Sequence, residues 1–201
     1  MIKKLTIPVD HGNRNMKTTH FLFTTGLSST DRKPAGREDF FQTDGKYYVL
    51  SGKRIPYQRD KTQDERFSIL TRFAIAKELE RTGQVSEEDV VQVSLPIGVP
   101  PKHYAELAER YREYFLGNGK VQELVYNGRT YHTCIQDVAV YPQAYAAMMT
   151  EGEKIRQIPK AVGIDIGGFT SDFLLMRSGS PCLDYCDSME KGVITMYNDI
   201  I

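Results

Sequence analysis

The sequence predicts a mixed α/β fold, and three observations carry that prediction. Short apolar or alternating runs of strand length recur along the chain, segments with helical periodicity lie between them, and one strand–turn–strand unit occurs twice. Residues 5–9 alternate apolar and polar and run into Asp10-His11-Gly12-Asn13-Arg14-Asn15. Extended character resumes through 19–23, so the opening reads as strand, tight turn and strand. Segment 31–39 is highly charged and carries Pro34 and Gly36, which predicts an exposed loop. Residues 40–50 form a hairpin turning at Asp44-Gly45, a dipeptide whose tolerance of positive φ suits a two-residue turn.

A polar connector leads to a helix over 64–81. Its Phe67, Ile69, Leu70, Phe73, Ile75 and Leu79 are apolar on more than one face, so burial on more than one side is expected. Residues 90–95 read as a short buried strand. Pro100-Pro101 opens a second helix whose stripe is Tyr104, Leu107, Tyr111 and Phe115, and Gly117-Asn118-Gly119 stops it. A second hairpin over 121–135 turns at Asn127-Gly128, and 138–140 is a separate strand. Pro142 begins a helix from Gln143 to about Thr150, with Tyr145, Met148 and Met149 as its core residues, and a polar segment runs on to Lys160. Residues 162–165 form a strand, 173–176 its return, and a last helix starts near Gly192. That helix stops on Asp199-Ile200-Ile201 without a Gly or Asn cap, which predicts a truncated chain.

Composition narrows the class of function. The 201 residues carry 26 Lys+Arg and 26 Asp+Glu, so no global field draws the protein to nucleic acid or an acidic membrane. No apolar run approaches the ~20 residues of a membrane span, and the N-terminus lacks the apolar core of a signal peptide. The three cysteines, Cys134, Cys182 and Cys186, are too few for a disulfide framework. They find no matching histidines for zinc and read as reduced thiols in or near a core. A cytoplasmic location follows.

Ile7-Pro8-Val9-Asp10-His11-Gly12-Asn13 and Val162-Gly163-Ile164-Asp165-Ile166-Gly167-Gly168 share one pattern: apolar, any, apolar, Asp, any, Gly, small. Each has a polar residue seven positions after its Asp, Lys17 in the first and Asp172 in the second. A duplicated unit of this kind predicts two turns facing each other across a cleft. Such turns suit polyphosphate, because glycine lets backbone N–H groups approach phosphate oxygens closely. An Asp beside each turn repels phosphate unless a divalent cation intervenes, through water as Mg²⁺ prefers. Lys17 can reach back as a point charge for the β- or γ-phosphate. These turns run strand to strand, unlike the strand-to-helix turns of Rossmann and P-loop sites. The competing reading is two ordinary hairpins; one Asp-x-Gly alone favours it, and two matching copies with Lys17 weigh against it.

These motifs resemble those of the actin/Hsp70/sugar-kinase ATPases. Residues 10–17 look like the phosphate-1 motif, and Asp165-Ile-Gly167-Gly168-Phe-Thr170-Ser-Asp172 like phosphate-2. Val138-Ala-Val-Tyr-Pro142-Gln143-Ala144 resembles the segment supplying the catalytic Gln or Glu in actins and in plasmid-segregating actins of the ParM/StbA type. Residues 187–193 look like the turn and helix start that follow in ParM-type proteins. The resemblance runs along the whole chain in order, although its specific motifs cover a minority of residues.

It implies an actin-like (RNase H-like) domain I over 1–155, with a small inserted subdomain at about 27–89 and a catalytic Gln helix, and the opening of domain II over 156–201. It further implies hydrolysis of ATP or GTP coupled to filament assembly. Gln143 would position the attacking water, a neutral amide orienting rather than deprotonating. Asp10 and Asp165 would hold Mg²⁺ through water, and Asp165 would help polarise the attacking water. Gly12, Asn13, Gly167, Gly168 and Thr170 would grip phosphates, while Lys17 neutralises charge; Asp172 either serves the site or pairs across strands. Implied partners are further copies of the chain and an adaptor bound to DNA, with no direct nucleic-acid contact. The charged loop 31–39 falls where the family places a polymer-contacting subdomain. Two other readings stay open: a small-molecule kinase, since the N-terminus also resembles type III pantothenate kinases, and a non-catalytic filament module.

Overall fold

Strands form where apolar residues alternate, and helices where they recur every three or four positions. In a computed structural model the described residues are 1–36 and 38–200. Arg37, within the charged segment 31–39, and Ile201, the last residue of the sequence, lie outside them. The first part of the chain holds β1 (Ile2–Thr6), β2 (Asp10–His11), β3 (Asn15–Lys17), β4 (Leu22–Thr24), β5 (Leu27–Thr30), β6 (Phe40–Thr43), β7 (Lys46–Leu50) and α1 (Arg66–Thr82). There follow β8 (Val90–Val99), α2 (Tyr104–Leu116), β9 (Gln122–Tyr126), β10 (Arg129–Pro142), α3 (Tyr145–Met149) and α4 (Gly152–Gln157). The last elements are β11 (Lys160–Ile166), β12 (Ser171–Arg177), β13 (Ser180–Pro181), β14 (Asp187–Met189) and α5 (Val193–Ile200). Two units divide the chain, Met1–Ile97 with Arg112–Ala139 and Gly98–Tyr111 with Val140–Ile201, so the division falls inside β8, α2 and β10.

A seven-stranded mixed sheet has the order β1-β8-β10-β9-β6-β7-β5. β1 runs parallel to β8, whereas the β10–β9, β9–β6, β6–β7 and β7–β5 pairs are antiparallel. Pairing of β1 with β8 runs from Ile2↔Val90 to Thr6↔Ser94 and returns at Val9↔Ile97. That register sets Pro8 opposite Pro96. Ile7 and Val9 donate to Ser94 O and Pro96 O, both at 3.0 Å, so the nitrogen of Pro8 between them faces away from β8 and only Pro96 lacks a donor toward the first strand. The strand expected over 90–95 extends to Val99, and that expected over 5–9 starts at Ile2 and ends at Thr6, with Val9 rejoining as an isolated bridge.

Both foreseen hairpin turns form. Asp44 and Gly45 have φ of 50° and 74°, Asn127 and Gly128 of 54° and 83°, the positive pair that a type I′ turn requires. The return strand β10 runs without a break to Pro142, so the separate strand foreseen at 138–140 is its far end. In the opening segment the chain resumes as β3 at Asn15, turns again at 18–21 and returns as β4, where a single strand over 19–23 was expected. A short helix, α4, occupies part of the stretch expected to be merely polar.

α1 ends at Gly83, whose φ of 61° suits the position after a helix. As its pattern foretold, α1 is buried on several sides: Phe67, Leu70, Phe73 and Leu79 are all fully enclosed. Phe73 meets Tyr126 at 5.5 Å, Phe41 at 6.1 Å and Phe23 at 6.5 Å between ring centroids. Glu78, on the same helix, is also buried and accepts hydrogen bonds from the backbone N–H of His20 (3.0 Å), from the Thr18 hydroxyl (2.5 Å) and from His20 Nδ1 (2.7 Å). These bonds tie the 18–21 turn to α1.

In the second unit β11, β12 and β13 form a sheet, with β14 also paired to β12. Ile155, Leu174 and Met176 make its core, and Tyr145, Met148 and Met149 pack against them, as expected for core residues of that helix. Cys134, Cys182 and Cys186 are free thiols.

Candidate functional site

The two repeated motifs fold into hairpins of the same register. In the first unit Asp10 stands directly opposite Lys17; in the second, Asp165 stands opposite Asp172. In each, the glycine two places after the Asp sits under the carbonyl three residues further on. A Cβ on Gly12 would lie 2.5 Å from Asn15 O, and one on Gly167 would lie 3.2 Å from Thr170 O. Gly12 is therefore obligatory, while Gly167 would have to shift. Asp, Gly, closing carbonyl and cross-strand partner thus fall at the same offsets in both.

In the first hairpin Lys17 Nζ lies 2.9 Å from Asp10 Oδ2, with both side chains partly in solvent. The Thr25 hydroxyl donates to Gly12 O at 2.6 Å and braces the turn. Asn13, expected at phosphate, has its Oδ1 engaged by the backbone N–H of Gln58 at 3.0 Å. Its side chain therefore anchors the segment around Gln58.

His11, between Asp10 and Gly12, was not singled out from the sequence. It is buried, stacks on Phe115 at 4.5 Å, and its Nε2 lies 2.7 Å from Thr71 Oγ1. Thr71 spends its own hydroxyl hydrogen on Phe67 O (2.7 Å), so Nε2 carries the proton that joins His11 to it. Burial, reinforced by the nearby Lys61 ammonium, lowers the His11 pKa from 6.5 to about 3, and the ring is neutral. Alternation was the available signal: Val9 and His11 point inward and Asp10 outward, as period two requires.

In the second unit Asp165 is exposed and Asp172 buried, with the Thr170 hydroxyl donating to Asp172 Oδ2 at 3.4 Å. Gly167 N–H is spent on Thr170 O at 2.8 Å.

Gln143 does not begin a helix. It lies in the turn between β10 and α3, where Ala144 takes a φ of 67°. That left-handed conformation costs energy in a residue with a Cβ and breaks the chain direction before the helix can start. The Gln143 N–H donates to Val99 O at 2.8 Å, which fixes its backbone. Its side chain packs over Gly98, where a Cβ would come within 3.3 Å of Gln143 Cγ. Gln143 Oε1 is buried and has no hydrogen-bond partner among the described residues. A buried carbonyl left so costs about 1–3 kcal/mol. Ala144 also packs near Gly163, two residues before Asp165, so Gln143 and the second hairpin adjoin within this unit.

No group of three or more His, Cys, Asp or Glu among the described residues could hold a metal by itself. A small cavity in the first unit, lined by Thr71, Arg72, Tyr114 and Phe115 among others, includes none of the residues expected at the site.

Residues 9–145 match the family described as the N-terminal domain of actin-like proteins. No curated protein matches the sequence. Among solved structures, the apo ParM protein of pSK41 is similar with a TM-score of 0.75 at 14% identity, over 98% of this chain and 70% of that one. An archaeal actin homologue in complex with ADP gives a TM-score of 0.71 at 19% identity, over 94% of this chain and 61% of that one. An AlfA filament bound to AMPPNP gives 0.70 at 17% identity, over 95% of this chain and 71% of that one. At these identities the likeness is one of fold, and the chain spans 61% to 71% of the length of these three relatives.

Proposed function

Since this chain belongs to the actin-like proteins, whose N-terminal domain its residues 9–145 match, we propose that it is the phosphate-gripping portion of a nucleotide-hydrolysing, filament-forming protein. The observation that carries the reading is the pair of hairpins with one register, each bent tightly by glycine beside an Asp. The ADP and AMPPNP held by two of the structural relatives favour a nucleotide, and the filament form of one favours self-association. In this reading residues 1–155 form domain I and 156–201 open domain II.

The roles follow from the chemistry of each group. Gly12, Gly168 and Thr170, with the backbone at Asn13, hold phosphate oxygens; Gly167, expected to grip phosphate, instead closes its own turn through its N–H. Lys17 exchanges its partner Asp10 for phosphate charge. Gln143 orients the attacking water through its buried Oε1, which has no donor among the described residues. Asp10 and Asp165 fit Mg²⁺ in the way this ion prefers, as one or two carboxylates acting through water on a phosphate-bound ion. When bound, the ion neutralises charge on the phosphates. ATP and GTP both satisfy this arrangement.

No helix among the described residues is long and apolar enough to cross a membrane. The balanced charge favours an adaptor between filament and DNA, as in plasmid partition, over direct contact.

Sedimentation of the full-length protein with Mg²⁺ and ATP, GTP or ADP, with phosphate release followed in parallel, tests the reading. Pelleting with triphosphate that reverses as phosphate appears is the expected result. Protein that stays soluble and consumes ATP only when a small acceptor is added would move the chain to the kinases of the same superfamily. Assembly indifferent to nucleotide would leave a filament module without catalysis.

A further inference from the structure

The start of α5 is built into the second hairpin. The Val193 N–H donates to Gly167 O at 3.0 Å and the Ile194 N–H to Gly168 O at 2.9 Å. Two of the N–H groups that a helix start leaves without intrahelical partners are thereby satisfied by the turn. Ser171 Oγ donates to Lys191 O at 2.6 Å, which ties the strand leaving the turn to the residue before Gly192. Thr195 closes the other side: its Oγ1 accepts from the Gly192 N–H at 2.7 Å and donates to Gly192 O at 2.8 Å.

Gly192 itself sits against the turn backbone. A Cβ there would lie 2.5 Å from Phe169 N, 2.6 Å from Gly167 O and 2.6 Å from Gly168 C, distances that real Cβ atoms do not reach. Its φ is not positive, so the requirement for glycine is space and not conformation. These contacts are to backbone, which cannot swing aside as a flexible side chain would.

The consequence for the turn comes from peptide geometry. The peptide bonds among the described residues are trans, and in a trans peptide the N–H points opposite to the C=O of the same unit. With the carbonyls of Gly167 and Gly168 held toward α5, the N–H groups of Gly168 and Phe169 are turned the other way. Gly167 N–H is already engaged inside the turn.

We propose that Gly192 and the first turn of α5 are the positioning element for the second hairpin, holding the 167–169 peptides so that their N–H groups meet the phosphates of a nucleoside triphosphate. This rests on the nucleotide reading above and adds residues that touch no phosphate themselves. It also makes docking of α5 and phosphate binding a single coupled event.

The test is binding of ATP with Mg²⁺, and of adenosine alone, to the full-length protein and its Gly192→Ala variant by titration calorimetry, with thermal melts of both. The expected result is a loss of ATP affinity on the order of 10- to 100-fold, since oriented N–H donors to an anion are strong and each decade of affinity is small in energy. Adenosine affinity should stay within about twofold, because the nucleoside has no phosphate to lose. Should Gly192→Ala fail to fold, Ser171→Ala removes only the bond to Lys191 and should weaken ATP severalfold in the same selective way. Equal losses for ATP and adenosine, or unchanged ATP affinity in a folded variant, would overturn the proposal while leaving the nucleotide site standing. A wild-type protein that binds no nucleotide overturns both.

Discussion

His11 makes the first unit sensitive to mild acid. In the folded chain its imidazole is buried against Phe115 and stays neutral because its pKa lies near 3, whereas in the unfolded chain it titrates near 6.5. Between those values the unfolded state binds a proton that the native state refuses, so stability rises with pH across this window and falls on acidification. At pH 7.5 the contribution is negligible. At pH 5 the unfolded ring is almost fully protonated, and the cost to folding is about 2 kcal/mol. For a chain of this size that corresponds to a fall of about 4–8 °C in Tm.

The carboxylates act in a different window. Arg66 hydrogen bonds hold Asp64 below its ordinary value. Burial pushes Asp39 up, but hydrogen bonds led by Lys77 prevail and hold it low as well. Stability from such groups is present above the unfolded value of about 4 and lost below it, outside the pH 5–7.5 range. Thermal melts of wild type and His11→Gln at pH 7.5, 6 and 5 separate the contributions. Glutamine keeps an N–H for Thr71 but cannot titrate. The wild type should lose stability across this range and the variant should not, after subtraction of what they share. Identical pH slopes would refute a buried neutral His11.

Three further outcomes are expected. Gln143→Ala in the full-length protein should lower kcat on the order of 100-fold while nucleotide affinity changes little, as for a group acting mainly in the transition state; equal losses in turnover and binding argue against water positioning. Asp165→Ala should abolish hydrolysis with the circular-dichroism spectrum unchanged, and retained turnover removes Asp165 from the site. Phe73→Ala, which empties a fully enclosed position between three aromatic rings, should cost about 3–5 kcal/mol in urea melts, and a loss below 1 kcal/mol would mean that the core refills the space.

What was legible in the residues is local. Asp44-Gly45 and Asn127-Gly128 specify their turns because only residues that accept positive φ close them. Phe67, Leu70, Phe73 and Leu79 announce a helix enclosed on several sides, and the repeated Asp-x-Gly announces two hairpins with the same register. All of this follows from backbone sterics and side-chain periodicity, which act over a few residues.

What required the tertiary structure involves partners far apart in the chain. That the nitrogen of Pro8 faces away from the neighbouring strand depends on register between segments 88 residues apart. The Gln143 turn was misread as a helix start because Ala144 gives no local sign of its φ of 67°; the Gln143 N–H held by Val99 O, and packing over Gly98, impose that path. Asn13 is occupied by Gln58, His11 is silenced by Thr71 and Phe115, and Gly192 is a glycine because another turn lies against it. A sequence states which conformations each residue permits; which of its polar groups remain for a ligand is decided by what the fold sets beside them.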